Sequence, residues 1–228
     1  MSRVRAGLTI LAVAGLFSCA CDIGRTVAPV EVAPVASTPA GAVQRLGWAF
    51  NHRDIEIVAG LLTDDFVFQC AELDSAGNTP GDTVVTCDSL LAALRSLFLG
   101  VPGVSSPARV SLTFDQNLVP FPDTRVGRNA RLHKTIRTSF DLVVDDPTAQ
   151  RTWEVTGHAL FFLTRGDSAA VPADQKASGA RADSTRWWID RWEDETIGTA
   201  GAGSAHANPA SQATLWKLLR FYLNRLRH

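Results

Sequence analysis

The sequence carries almost no excess of charge of either sign. Its Lys and Arg residues number 22 against 23 Asp and Glu, which gives a net charge of -1. A chain this close to neutral creates no general attraction for nucleic acid or for an acidic surface. Nucleic-acid binding is therefore disfavoured.

Short motifs that mark common chemistries are absent as well. The chain has no GxGxxG, P-loop or GxSxG element, and no His or carboxylate cluster at the spacing of metal ligands. We therefore expect no cofactor and no metal site. The four Cys include no CxxC pair, which disfavours redox catalysis.

A long hydrophobic run is also missing, although 46% of the 228 residues are hydrophobic and one or two buried cores are expected. The apolar stretch within residues 1–18 is short for a bilayer span, and it follows the basic residues Arg3 and Arg5. This order indicates an export signal.

The end of that signal, Leu16-Phe17-Ser18-Cys19, resembles the bacterial lipobox, in which the Cys thiol receives a diacylglycerol. We expect Cys19 to be the lipid acceptor. Ala20 then resembles an outer-membrane sorting signal, whereas Cys21 as acceptor would place Asp22 there, which resembles inner-membrane retention. An ordinary cleaved signal peptide is the third alternative. The prediction is an exported, membrane-anchored lipoprotein of the bacterial cell envelope, on the periplasmic face of the outer membrane.

The two Cys inside the folded region predict a disulfide. Cys70 and Cys87 are separated by turn formers, which let the flanking segments fold back on each other. In an exported protein a disulfide is favoured over a redox pair, and this one would stabilise the fold by about 3 kcal/mol.

Apolar residues recur at helical spacing in three early segments. Pro39 suits the first turn of one helix, Asp54 can cap a second, and Asp88 can cap a third, while Asp64 and Asp65 end the second. The predicted helices cover residues 39–51, 55–62 and 88–99, and short strands are predicted at 66–68 and 83–86.

The second half of the chain alternates with the period of strands. Four runs are bounded by turn residues, at 109–119, 131–145, 151–164 and 185–196. The intervening residues 166–184 are rich in Ala, Asp, Ser and Gly, which predicts a long mobile loop.

The chain ends in a basic amphipathic helix, predicted over residues 211–228. Its apolar stripe docks on the domain's own sheet or on a second copy, or alternatively lies on an anionic membrane. The full predicted organisation is a signal peptide at 1–18, a Pro/Ala/Val-rich tether at 19–37, a folded domain at 38–196, a linker at 197–210 and this helix.

Three segments carry a recognisable pattern: Trp48-Ala49-Phe50-Asn51-His52-Arg53-Asp54, Leu61-Leu62-Thr63-Asp64-Asp65-Phe66-Val67-Phe68 and Trp187-Trp188-Ile189-Asp190-Arg191-Trp192-Glu193-Asp194. Together they resemble the nuclear transport factor 2-like (SnoaL-like) superfamily, which includes ketosteroid isomerase. The resemblance covers residues 38–196. It implies an α+β fold in which helices are followed by a strongly curved antiparallel sheet that forms a cone with an apolar pocket.

An enzyme of this family would hold a general acid or base inside the cone. The weak candidates are His158, Asp141 and Asp190, of which His158 could meet Asp141 or Arg137 across a hairpin. The residues that could line a pocket are Trp153, Trp188, Trp192, His133 and Arg137.

The sequence favours a lipid-anchored, non-catalytic binding or scaffold domain. Its expected partners are the membrane, through the N-terminal lipid, and a small apolar ligand, a second copy or another envelope protein. The alternative is a small-molecule isomerase, dehydratase or hydrolase that works by acid-base catalysis inside the cone.

Overall fold

The three predicted helices form at the start of the domain, in a computed structural model that describes residues 31–70, 83–165, 185–196, 211–212 and 214–226. The predictions for residues 1–18, Cys19, Cys21 and most of the tether lie outside these ranges, as do the predicted loop 166–184 and the linker 197–210.

Side-chain caps fix where the helices begin. The Thr38 hydroxyl accepts a hydrogen bond from the Gly41 amide, and the Asp54 carboxylate accepts one from the Ile57 amide, both at 2.9 Å. The cap of the third helix is Thr86, not Asp88 as predicted. The helices are α1 (Pro39–His52), α2 (Ile55–Leu61) and α3 (Cys87–Leu99).

Eight strands form one curved, mostly antiparallel sheet with the order β2-β1-β7-β6-β5-β3. Strand β4 pairs with β5, and β8 pairs with β6. The strands are β1 (Leu62–Cys70), β2 (Thr83–Thr86), β3 (Arg109–Phe114), β4 (Phe121–Pro122), β5 (His133–Asp146), β6 (Arg151–Arg165), β7 (Trp187–Thr196) and β8 (Ser211–Gln212). Asp64 and Asp65 lie within β1 and do not end α2 as predicted.

A bulge in β7 decides where one predicted site residue lies. Leu163 is opposite Ile189, but the next residue back along β6, Phe162, is opposite Arg191. Asp190 is therefore the extra residue of the bulge. Since Ile189 belongs to the core under the helices, Asp190 is directed to the other face of the sheet, which we call the outer face.

The predicted disulfide between Cys70 and Cys87 is wrong, because the register of the hairpin keeps the two residues apart. Cys70 lies opposite Thr83, and Cys87 is four residues beyond Thr83. Four residues of strand measure about 13 Å, whereas a disulfide requires Cα atoms within about 7 Å. No disulfide joins the two thiols. Burial and the neighbouring carboxylates of Asp88 and Asp64 raise the pKa of Cys87 to about 11, so this thiol is protonated at neutral pH.

The C-terminal helix, α4 (Leu215–Arg225), packs on the domain itself. Its buried residues are Leu215, Leu218, Leu219 and Tyr222. The Tyr222 hydroxyl donates to the carboxylate of Asp146 at 2.9 Å, and Arg225 pairs with the same carboxylate at 2.8 Å. Leu226, the C-cap residue directly after the helix, is 48% exposed.

The described core residues run from Ala36 to Tyr222 and lie in one compact unit, Ala33–His228. Residues 31–228 therefore contain the whole described core. None of the helices within the described ranges is long and apolar enough to cross a bilayer.

Candidate functional site

Aromatic rings fill the space between the helices and the sheet. Phe50 of α1 contacts Phe98 of α3 at a centroid distance of 5.2 Å, and Trp192 of β7 lies 5.2 Å from Phe68 and 5.1 Å from Phe161. Each of these five side chains is at most 2% exposed. A void of water size beside them would expose more of their surface, so the rings pack as a core. Trp192, a predicted pocket residue, is part of this filling.

The other two Trp residues predicted to line the pocket are buried by packing contacts. Trp153 lies 5.3 Å from Phe221 of α4, so it helps to seat the C-terminal helix. Trp188 is 2% exposed and lies opposite Thr164 in the sheet. Both serve packing contacts within the domain.

A cluster of opposite charges lies on the outer face and holds the connection between β4 and β5 against the sheet. Arg125 pairs with Asp123 at 2.8 Å and with Asp190 at 2.7 Å, and Arg128 pairs with Asp190 at 3.1 Å. The side chain of Asp123 is fully buried and that of Asp190 is 9% exposed. We call these four residues the clamp, and residues 123–132 the clamped loop.

The electrostatics of the clamp favour its charged form. Burial acts to raise the pKa of Asp123, but the hydrogen bonds and charge of Arg125 outweigh it and hold that pKa below its usual range. Burial acts to lower the pKa of Arg125, and its bonds to Asp123 and Asp190 outweigh that effect and raise it. The Arg125 guanidinium also lies 4.0 Å above the ring of Phe162, a cation-π contact. The clamp therefore persists at neutral pH and ties the loop to both β6 and β7.

His133, another predicted pocket residue, is buried beneath the clamped loop. Its Nδ1, and not its Nε2, contacts the backbone of Asn129, 3.1 Å from the amide nitrogen and 3.2 Å from the carbonyl oxygen. That Nε2 has no hydrogen-bond partner in the part of the chain that the structure describes. The ring lies opposite Thr164, whose neighbour on β7 is Trp188.

Of the candidate acid-base residues, His158 and Asp190 lie far apart, whereas Asp141 and Arg137 are each two residues from Ser139 on β5 and are therefore diagonal neighbours of His158. His158 lies opposite Ser139 of β5 and Glu195 of β7, and Asp190 follows Ile189, which is opposite Leu163. Five residues of β6 separate these two positions, about 16 Å at the rise of a strand.

The other two polar candidates are exposed. Asp141 lies opposite Thr156, and Arg137 forms an ion pair with Glu195. The pKa of Asp115, which directly follows β3, is lowered by residues of this region. The largest cause is the hydrogen bond that the Ser139 amide donates to its carboxylate, and the charge of His158 contributes a smaller lowering.

Sequence reasoning missed Asp123, Arg125 and Arg128 altogether. They lie in a connection without a helical or strand period, and Asp190, the common partner of Arg125 and Arg128, is more than 60 residues away in the chain. The one signal available was the density of charges around Gly127, which adopts a positive φ of 82° in the loop.

Apolar side chains beside and within the clamped loop are left in solvent. Val119 is 43% exposed and Phe121 is 58% exposed, while Val126 is completely exposed. The clamp thus fixes the base of a segment whose exposed apolar residues do not belong to the described core.

No family model matches the chain, and no curated protein matches it. Among solved structures it is similar to an NTF2-like protein of unknown function in nutrient uptake from Rhodospirillum rubrum, with 16% identity and a TM-score of 0.42. That match covers 69% of this chain and 97% of the other.

A ketosteroid isomerase-like protein from Erwinia carotovora atroseptica matches with 15% identity and a TM-score of 0.40, over 71% of this chain and 95% of the other. A conserved protein from Planctomyces limnophilus matches with 18% identity and a TM-score of 0.43, over 69% and 92%. At these identities the similarity concerns the fold alone. The observed order of two helices, a short hairpin, a third helix and a curved sheet is the order that the sequence resemblance implied, so the expected α+β fold is confirmed.

Proposed function

We propose that the protein is an exported, lipid-anchored binding domain of the bacterial cell envelope that holds a protein partner and carries out no catalysis. The observation that carries the proposal is the filled cone. Among the described residues, Phe161 is 0% exposed and Trp192 is 2% exposed, so a small apolar ligand would have to displace these two rings to occupy their part of the cone.

The clamped loop supports the choice of a protein partner. Val119, Phe121 and Val126 expose apolar surface in one continuous segment, and exposed apolar surface of this kind marks contact sites. The clamp holds the base of this segment in place before binding, which lowers the entropy lost when a partner docks.

The acid-base alternative, an isomerase, dehydratase or hydrolase, has no observation in its favour. The carboxylate of Asp190 is neutralised by two guanidinium groups. His158 lies about 16 Å from it along β6, and Asp141 is exposed.

Export and anchoring rest on the amino-terminal sequence, where residues 1–18 precede the lipobox Cys19. The test is mass spectrometry of the protein from a Gram-negative host. We expect a diacylglycerol on Cys19, its loss and accumulation of the precursor in Cys19→Ala, and full modification in the control Cys21→Ala. Lipid on Cys21, or a soluble periplasmic product, contradicts this part of the proposal.

Partner binding is tested by placing a photo-crosslinking amino acid at Val126 or Phe121 in the membrane-anchored protein. The control position is Val84, which is 60% exposed on β2 at the opposite edge of the sheet. We expect the same discrete crosslinked protein from both loop positions and none from Val84. Identical products from all three positions, or none from the loop, contradict the proposal.

A further inference from the structure

An apolar cleft of about 420 Å³ lies between the residues that follow α3 and the last turns of α4. It is lined by Val101, Pro102, Val104, Phe221, Asn224 and Arg225. Leu99, two residues before the cleft lining begins, is 64% exposed, and Leu226, directly after it ends, is 48% exposed. The cleft thus continues into exposed leucines on both chain segments that form it.

Exposed cations lie on both helices that border the cleft, while Arg225 of the lining is paired with the buried carboxylate of Asp146. Lys217 and Arg220 are exposed on the side of α4 that faces away from the core, and Arg95 is exposed one turn before Leu99. None of these three cations has an ion-pair partner within the described ranges. Residues 89–114 and 197–228 contain no Asp or Glu. Since the whole chain has a net charge of -1, this basic end is a local asymmetry.

The apolar side of α4 is not available for binding at this surface. Leu215, Leu218, Leu219 and Tyr222 are already buried in the domain. The available groups are the leucines beside the cleft and the cations, which together we call the α3–α4 surface: Leu99, the cleft lining, Leu226, Arg95, Lys217 and Arg220.

We propose that the α3–α4 surface docks on an anionic phospholipid bilayer. Lipid phosphates complement Lys217 and Arg220, and the leucines beside the cleft enter the headgroup boundary, a combination that binds bilayer surfaces. Since residues 89–114 and 197–228 contain no Asp or Glu, no carboxylate of these two segments would repel the anionic bilayer.

This inference rests on the proposed function in one respect, the lipid anchor. The 15 residues from Cys19 to Ala33 span at most about 50 Å when fully extended, so an anchored domain stays within reach of the bilayer. The tether raises the local concentration of the domain at the membrane, and a weak contact is then sufficient for docking.

The experiment uses residues 31–228, which carry no lipid and contain the whole described core. Co-sedimentation of this protein is measured with vesicles of equal parts phosphatidylglycerol and phosphatidylcholine, and with vesicles of phosphatidylcholine alone. We expect binding to the anionic vesicles, loss of that binding at high salt, and no binding to the neutral ones.

The decisive variant is Lys217→Glu with Arg220→Glu. Each cation near an anionic surface is worth about fivefold in affinity, so removing two weakens binding by about 25-fold or more. The matched control is Arg131→Glu with Lys134→Glu, which changes the net charge equally at the end of β5 remote from Asp146 and α4. The control retains wild-type binding.

A separate variant, Leu226→Ser, keeps every charge and should weaken binding to anionic vesicles while leaving the salt dependence unchanged. Absence of binding to anionic vesicles at low salt, or equal loss in both charge-reversed proteins, overturns the inference. Either result leaves the lipid on Cys19 untouched, because the vesicle assay uses protein without it. Conversely, an unmodified Cys19 refutes the anchor but not the vesicle binding.

Discussion

Replacing Asp190 by Asn tests whether the clamp holds the loop at residues 123–132 against the sheet. The Asp190 carboxylate accepts charge-assisted hydrogen bonds from Arg125 at 2.7 Å and from Arg128 at 3.1 Å. Removing one partner of a fully buried pair costs about 3–5 kcal/mol. Both Arg side chains are 30% exposed, so water compensates part of that loss, and we expect Asp190→Asn to cost about 2 kcal/mol.

Denaturant unfolding of residues 31–228 measures the free-energy loss, and hydrogen exchange shows where the loss arises. In a domain of this size, about 2 kcal/mol lowers Tm by about 4–8 °C. We expect faster amide exchange in the clamped loop and unchanged exchange in α1 and α3. The control Asp141→Asn removes an exposed carboxylate and should change stability by less than about 0.5 kcal/mol. Equal stability of the two variants, with an unchanged loop, would refute the clamp.

Two further substitutions test the acid response and the packing. Because the pKa of Asp123 is lowered in the folded state, the stabilisation from its carboxylate is present at neutral pH and is lost as pH falls through the folded pKa. Asp123→Asn should therefore reduce the dependence of the unfolding free energy on pH below about 4. An unchanged pH profile argues against this. Phe161→Ala should cost about 3–5 kcal/mol by urea denaturation, whereas Phe121→Ala, at a side chain 58% exposed, should cost below about 1 kcal/mol; similar losses would contradict a filled cone.

Local patterns were enough to predict the elements. The spacing of apolar residues placed α1 within one residue of its observed end at His52, and alternation located each of the long strands β5, β6 and β7. These signals depend only on neighbours in the chain, because an element must bury one face regardless of what covers it.

Register could not be predicted in the same way. The disulfide prediction required Cys70 and Cys87 to lie opposite each other in the hairpin. Cys70 instead lies opposite Thr83, four residues before Cys87. Register depends on the turn and on the opposing strand, neither of which a composition of turn formers determines.

The candidate site was predicted least well, for a related reason. Asp190 was predicted as an acid-base candidate, yet the groups that decide its chemistry are Arg125 and Arg128, in a loop that crosses the outer face. The bulge that turns Asp190 to that face is itself a property of the β6–β7 pairing. Long-range contacts of irregular segments leave no periodic trace in a sequence.

A crystal structure of residues 31–228 under xenon pressure tests the central claim most directly, because xenon enters apolar cavities and no close-packed core. The account predicts no xenon between the helices and the sheet in the wild-type protein, and a xenon atom beside Trp192 in Phe161→Ala. Xenon bound inside the wild-type cone would show that the interior has room for an apolar ligand and would contradict the account.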